Sequence, residues 1–584
     1  MSTGETRGLG RWAPGLSELR RYERGWLRGD VVAGVAVAAY LIPQVMAYAE
    51  VAGLPPVTGL WAISGSLVVY AILGSSRQLS VGPESTTALM TATAIAPFAA
   101  GDPGKYAGLA AALAIVVGAL CIVSRLGKLG FLSDLLSKPV LVGYMAGVAV
   151  IMIVSQIGKV TRLDSTADSF LGDLAFYATH LADTHLPTLL LAAGMLTVLL
   201  VVGRMFPRAP IPLIAMLLAI GVVMVFGLQQ LGIEVVGTIP AGFPVPTVPD
   251  VTAHDWSVLL LPAVGLAIVA YNDNILTARA FASRNSYAVD GNQELLALGA
   301  ANVAAGVMQG FPVSSSGSRT AIGDSLKSRT QLYSLVALAV VIVTVLFLRP
   351  VLASFPTAAL GAIVIYAAIR LIDLAELKRL IRFRRSEFVI AIATTISVLV
   401  FDILYGILVA VGLSILNLLR RVARPHDAIL GYVPGLAGMH DVDDYPSTKL
   451  VPGLVVYRYD SPLFFANAEN FKKRALESID AADQPVEWFV LNAEANVEID
   501  ITGVDALDEL HEELERRGIE FALARVKQDL RTELEAAGIV ERVGENRIFP
   551  TLPTAVQAYV EAYVARHGAP PEGVTIQEPP RPPI

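Results

Sequence analysis

Stretches of about 20 apolar residues, the length that crosses a bilayer as a helix, follow one another from Val31 to Arg424 in this chain of 584 residues. Lipid offers backbone amides no partner, so segments of this length must satisfy their own hydrogen bonds as packed helices. With 54% hydrophobic and 16% charged residues, the composition belongs to a polytopic all-α membrane protein rather than a soluble domain. The net charge of −7 mixes basic membrane flanks with an acidic tail and points to no nucleic acid. One cysteine, Cys121, lies in an apolar run, which excludes an intrachain disulfide framework and a thiol metal cluster. No metal-ligand cluster and no nucleophile–base pair emerges, so neither an enzyme nor a cofactor is expected. The phosphate-cradling pattern GxxxxGK[ST] is missing, which leaves ATP drive without support.

Candidate spans start near Val31, Val57, Pro83, Tyr106, Phe131, Leu186, Pro210, Trp256, Gln293, Ser314, Gln331, Phe355, Glu387 and Ile403, about fourteen in all, the last two poorly separated around Asp402. Lys and Arg gather on the cytoplasmic side of membrane proteins. With the N-terminus inside, the inner segments carry most of the basic residues, while the outer loops hold only Lys105, Lys159, Arg162 and Arg349. The segment from Gly227 to Asp255 has no Lys or Arg and four prolines, which fits an outer connection between two halves of seven spans in opposite topology, a 7+7 inverted repeat. Residues 1–30 then form a basic cytosolic terminus, 31–424 the transport domain and 425–452 a linker. Beyond them, strands expected at Gly453–Tyr459, Trp488–Asn492 and Glu520–Val526 alternate with helices at Ala466–Ile479, Thr502–Arg517, Gln528–Ala537 and Pro553–Arg566. This is a cytosolic α/β domain over 453–567, followed by a disordered Pro-rich tail at 568–584.

Two polar breaks interrupt the apolar runs about 230 residues apart: Gly82-Pro83-Glu84-Ser85-Thr86-Thr87, and Phe311 to Arg319 with the serine run Ser314-Ser315-Ser316-Gly317-Ser318. Broken helices survive at membrane depth where they line a cavity, and breaks at corresponding places in two halves point to a transporter's binding site. Arg319 among hydroxyls makes the ligand an anion. A helix N-terminus attracts an anion through its free amides and dipole. Pro43 in the first span removes a backbone donor and is expected to break that helix, with Gln44 beside it.

LIPQVMAYAEVAGLPP (Leu41 to Pro56), GSSRQLSVGPE (Gly74 to Glu84), VDGNQELLALGAANVAAG (Val289 to Gly306) and SSSGSRTAIGDSLKSRTQL (Ser314 to Leu332) resemble, in order and over most of the chain, the SulP family of anion transporters. The α/β tail looks like the family's STAS domain. The resemblance implies core and gate subdomains, half-helices in spans 3 and 10, and an anion held between their facing N-termini. It places Gln44 and Tyr48 in the pocket wall, Glu84, Ser85 and Thr86 at the start of span 3, and Ser316, Gly317, Ser318 and Arg319 at the start of span 10. Asp273 matches the acidic position of span 8. It is expected either to carry a coupling proton when an anion neutralises Arg319 or to form a fixed ion pair with Arg319. Glu84 is a second proton candidate, or a mimic of the anion in the empty site. Glu294 and Asp324 lie nearer helix ends and read as solvated or capping.

The expected function is proton-coupled sulfate uptake by alternating access, in a homodimer of the inner (plasma) membrane with both termini in the cytoplasm. Bicarbonate or dicarboxylate transport and anion exchange are the alternatives within that class. A channel, or an anion sensor signalling through the STAS domain, comes from another class. Where relatives carry a phosphorylatable Ser or Thr after an Asp, this chain has Asp500 and then Ile501.

Overall fold

A computed structural model describes residues 12–99, 101–130, 137–163, 165, 170–206, 211–240 and 242–571. The chain divides into two compact units, 1–414 and 415–584. The first is helical: α1 (Leu27–Val51), α2 (Val57–Leu73), α3 (Ser85–Ala99), α4 (Pro103–Leu126), α5 (Lys138–Thr161), α6 (Leu186–Met205), α7 (Ile211–Val225), α8 (Leu260–Arg284), α9 (Gly291–Val307), α10 (Gly317–Ser325), α11 (Leu332–Phe347) and α12 (Thr357–Leu371), with α13 (Arg385–Ala423) running across the boundary at 414. Six described helical stretches are each long and apolar enough to cross a bilayer, and α2, α7 and α11 are shorter apolar helices.

At 39 residues, α13 would reach about 58 Å if straight, roughly twice a bilayer's hydrocarbon core. It cannot be straight: a Cβ at Gly406 would lie 2.7 Å from Cα of Val398, eight residues earlier. The chain therefore turns back between them, giving the two poorly separated segments read from the sequence around Asp402. Pro43 does not break its helix. α1 runs unbroken through it, because Gln44 to Ala49 are buried on all sides and packing against neighbours holds a membrane helix across one missing hydrogen bond.

α9 packs against α4 and α2, and α1 against α11; α12 packs against α5 and α6, and α1 also meets α7 and α12. Glycines set the closest approach. A Cβ on Gly118 of α4 would stand 2.5 Å from the carbonyl oxygen of Gly299 in α9, and a Cβ on Gly299 would stand 2.7 Å from the carbonyl oxygen of Gly118. Without a hydrophobic driving force between helices, lipid-embedded packing relies on such small residues. Gly299→Val is expected to leave little folded protein, read as loss of the monodisperse peak in detergent chromatography, whereas Gly194→Ala, with nothing within 4 Å of its added methyl, is expected to behave as wild type.

The second unit carries a six-stranded sheet in the order β4-β3-β5-β6-β7-β8, from β3 (Asp427–Tyr432), β4 (Met439–Asp441), β5 (Leu454–Tyr459), β6 (Trp488–Asn492), β7 (Glu520–Ala524) and β8 (Ile548–Phe549). β5 to β8 are parallel and β3 is antiparallel to β5. Alternation along each strand serves both faces. Tyr457, Leu491 and Leu523 pack with α14 (Ala468–Asp480), α15 (Ile501–Arg516) and α16 (Gln528–Ala536), whereas Val456, Trp488 and Ala522 pack with α17 (Leu552–His567). Residues 425–452, read as a linker, instead supply β3 and β4 at the sheet edge. A short edge hairpin interrupted by Gly435 and Gly438 leaves too brief an alternation to stand out in sequence. Of the tail at 568–584, residues 572–584 lie outside the described residues.

Candidate functional site

The two polar breaks meet. Val81–Gly82 (β1) and Ser314–Ser315 (β2) pair antiparallel, Val81 opposite Ser315 and Gly82 opposite Ser314. Ser316 N donates to Ser80 O at 2.9 Å and Ser80 N to Thr320 Oγ1 at 3.0 Å, which extends the clasp. Asn302 of α9 bonds both backbone groups of Val313, accepting from N at 2.9 Å and donating to O at 3.0 Å. An irregular backbone that would be prohibitive in lipid is thus satisfied inside the protein. Because the strands run antiparallel and a helix follows each, the N-termini of α3 and α10 are brought to one place.

Both helix starts are capped from their own sequence. Glu84 precedes α3, and its Oε2 accepts from Thr86 N at 3.0 Å and Ser85 Oγ at 2.6 Å. A carboxylate here already occupies part of the anion-attracting terminus. Ser316 caps α10: its Oγ lies 3.5 Å from Arg319 N and 3.2 Å from Ser318 Oγ. Gly317 is exposed and Ser318, Glu84 and Asp273 are half-buried, whereas Gln44, Tyr48, Ser85, Thr86, Ser316 and Arg319 are buried. The accessible residues therefore mark the open side of the site. A Cβ at Gly317 would meet nothing within 4 Å, so the glycine is not required there by crowding. At Gly82 an added methyl group would stand 2.6 Å from Ile63 Cδ1 and 3.4 Å from Arg319 Nη2, so the backbone passes close to the guanidinium there.

Arg319 is fully buried. Its Nη1 donates to Gln44 Oε1 at 3.1 Å and to the Pro83 carbonyl at 3.0 Å, and its Nε to Ser80 Oγ at 3.3 Å. Gln44 in turn donates from Nε2 to the Tyr48 hydroxyl at 2.9 Å. A guanidinium has five N–H donors, and Nη2 is buried with no protein partner. Asp273 does not pair with Arg319. Its Oδ2 accepts from Ser314 Oγ at 2.8 Å and Ser315 Oγ at 3.2 Å, and among the described residues no carboxylate lies within ion-pair distance of the guanidinium. Serine hydroxyls, not the guanidinium, hold Asp273, so the fixed ion pair read as one option from the sequence is not formed.

The structure thus gathers Gln44, Tyr48, Glu84, Ser85, Thr86, Asp273, Ser316, Gly317, Ser318 and Arg319 around the β1–β2 clasp. Ser80 and the Pro83 carbonyl escaped the sequence reading. The alternating Ser80, Gly82, Glu84 of the GSSRQLSVGPE motif is the signal that could have found Ser80. Glu294 overturns its reading as solvated or capping. It is completely buried and accepts from Tyr70 Oη at 2.9 Å, Asn274 Nδ2 at 2.7 Å, and Ser75 N and Oγ at 2.9 and 2.8 Å. Asp290, not Glu294, caps α9. Asp324 accepts from Asn285 Nδ2 at 2.8 Å near the end of α10. In the second unit Asp500 caps α15, accepting from Gly503 N, and Ile501 is 73% exposed.

A helical membrane domain whose two broken helices aim their N-termini and a buried arginine at one point, joined to an α/β domain, defines a membrane transporter of anions. The chain belongs to the sulfate permease family, whose model matches residues 27–394, and the STAS domain model matches 445–555. It is 58% identical over 548 residues to a "Probable sulfate transporter" of Mycobacterium tuberculosis, covering 94% of this chain and 98% of that one. It is 32% identical over 551 residues to the chloroplastic sulfate transporter 4.1 of Arabidopsis thaliana, covering 91% and 80%. Among solved structures, the murine SLC26A9 anion transporter superposes with a TM-score of 0.87 over 96% of this chain and 95% of that one, at 22% identity. The transmembrane domain of the cyanobacterial bicarbonate transporter BicA gives 0.59 over 68% and 98%, at 23% identity. At such identities the likeness is one of fold.

Proposed function

We propose that this protein carries sulfate into the cell together with protons, by alternating access, with the anion held between the N-termini of α3 and α10. The observation that carries the reading is Arg319: a fully buried guanidinium, fixed on one side by Gln44, Ser80 and the Pro83 carbonyl, with Nη2 left unpartnered. An unpaired donor on a buried charge is costly unless a ligand meets it. A tetrahedral oxyanion suits that need, taking charge-assisted hydrogen bonds from the arginine and from the free amides of two helix starts. Ser85, Thr86, Ser316 and Ser318 supply hydroxyls, Gln44 and Tyr48 form the wall, and Gly317 leaves the opening clear. Sulfate is favoured over other oxyanions by the sulfate transporters among its relatives.

Energetics favours coupling. A dianion entering against an inside-negative potential works against about 4.6 kcal/mol per 100 mV, twice the cost per unit charge. Two protons per sulfate cancel that charge. Asp273, held only by serine hydroxyls, and Glu84, bound to the start of α3, are the groups placed to carry them. The protein then lies in the inner (plasma) membrane with its termini in the cytoplasm and works as a homodimer. Uptake of labelled sulfate into proteoliposomes tests the assignment. Unlabelled sulfate and selenate should compete strongly and bicarbonate or dicarboxylates weakly, with uptake stimulated by an inward proton gradient. Stronger competition by bicarbonate, or indifference to the gradient, would reject it.

A further inference from the structure

A groove of about 580 Å³ runs between α6 and α7, walled by Leu190, Gly194 and Val198 on α6 and by Leu218 and Val222 on α7, with Phe226 just past its end. Every side chain lining it is apolar, and its rim is open, with Leu190 62% and Phe226 71% exposed. From Leu186 to Val198 it follows α6 for about 18 Å, close to the roughly 15 Å depth of one leaflet's hydrocarbon. One end is polar and basic. Beside Leu231, a Cβ on Gly232 would stand 2.7 Å from Arg162 Nη1 and 3.7 Å from the His185 ring, and His185 N donates to Thr161 O at 2.9 Å, tying the foot of α6 to the end of α5. Arg162 pairs with Glu234 at 3.2 Å, but that carboxylate is 62% exposed and contributes little hold on the guanidinium. His185 keeps Nδ1 on Thr188 Oγ1 at 2.7 Å, which leaves its other ring nitrogen available.

An apolar trough one leaflet deep, ending at an arginine and a histidine, has the dimensions and charge of a single phospholipid. We propose that it is a specific phospholipid site, with an acyl chain lying between α6 and α7 and the phosphate on Arg162 and His185. Occupancy wedges α6 against α7 and fixes the spacing of the two helices.

Phosphatidylglycerol carrying a diazirine in its acyl chain, added to delipidated protein and photolysed, should label peptides within 186–231. Native mass spectrometry should count about one retained phosphatidylglycerol per chain. Gly194→Phe, whose new side chain enters open space, should lower that retention about tenfold, and Arg162→Gln, which removes the charge-assisted hydrogen bond to the phosphate, by a comparable factor. Diacylglycerol, which lacks the phosphate, should not distinguish Arg162→Gln from wild type. Labelling outside 186–231, unchanged retention in Gly194→Phe, or crosslinks joining two copies of the chain through this groove would each overturn the proposal, the last by making a second protein copy the occupant. The labelling arm uses wild-type protein and does not depend on either variant folding.

Discussion

Arg319→Gln is expected to reduce sulfate uptake at least about a hundredfold while leaving the protein folded, on the scale of two charge-assisted hydrogen bonds lost. The β1–β2 clasp is paired through backbone groups and does not use the Arg319 side chain, so it persists. What disappears is the positive charge and the spare Nη2. Arg319→Lys separates the two contributions. It restores the charge as a point but not the planar fork that reaches Ser80, Gln44 and Pro83 together, and should recover only a small part of the rate. Uptake by Arg319→Gln within a few fold of wild type, in vesicles with matched protein content, would remove the arginine from the binding site.

Asp273→Asn is the second large effect. The carboxylate only accepts, from Ser314 and Ser315, and asparagine can accept from the same hydroxyls, so the clasp should survive. The proton site does not. In vesicles with an inward proton gradient, wild-type protein should accumulate sulfate above equilibrium by about tenfold per pH unit for each coupled proton. The variant should only equilibrate it. Sulfate–sulfate exchange, which needs no net proton movement, should continue at near wild-type rate. Gradient-driven accumulation by Asp273→Asn would move the proton to Glu84 or elsewhere, and loss of exchange as well would make Asp273 a structural residue.

The division between what the chain's letters reveal and what they conceal follows the range of the interactions. The breaks at Gly82–Thr87 and Phe311–Arg319 are local departures from hydropathy, so they are visible in sequence. Their direct pairing through Val81, Gly82, Ser314 and Ser315 is not, because it joins residues over two hundred positions apart. The strands of the α/β domain are legible where they are central and almost wholly apolar, as at Trp488–Asn492, whose first four residues are Trp-Phe-Val-Leu. Met439–Asp441, at the sheet's edge, is only three residues long, and its partner Asp427–Tyr432 carries Asp427 and Gly431 among its apolar residues, so neither shows that pattern. Pro43 misled because its effect on a helix depends on what surrounds it. Glu294 misled for a related reason: its place in the first turn of α9 suggests solvent, but Tyr70, Ser75 and Asn274 from two other parts of the chain close over it.

A density map of the protein in lipid nanodiscs with selenate, a heavier oxyanion of the same shape, bears most directly on the central claim. The expected result is a tetrahedral peak in contact with the first amides of α3 and α10 and within hydrogen-bonding distance of the Arg319 guanidinium. A peak elsewhere in the membrane domain, with Arg319 still bonded only to Gln44, Ser80 and Pro83, would contradict it.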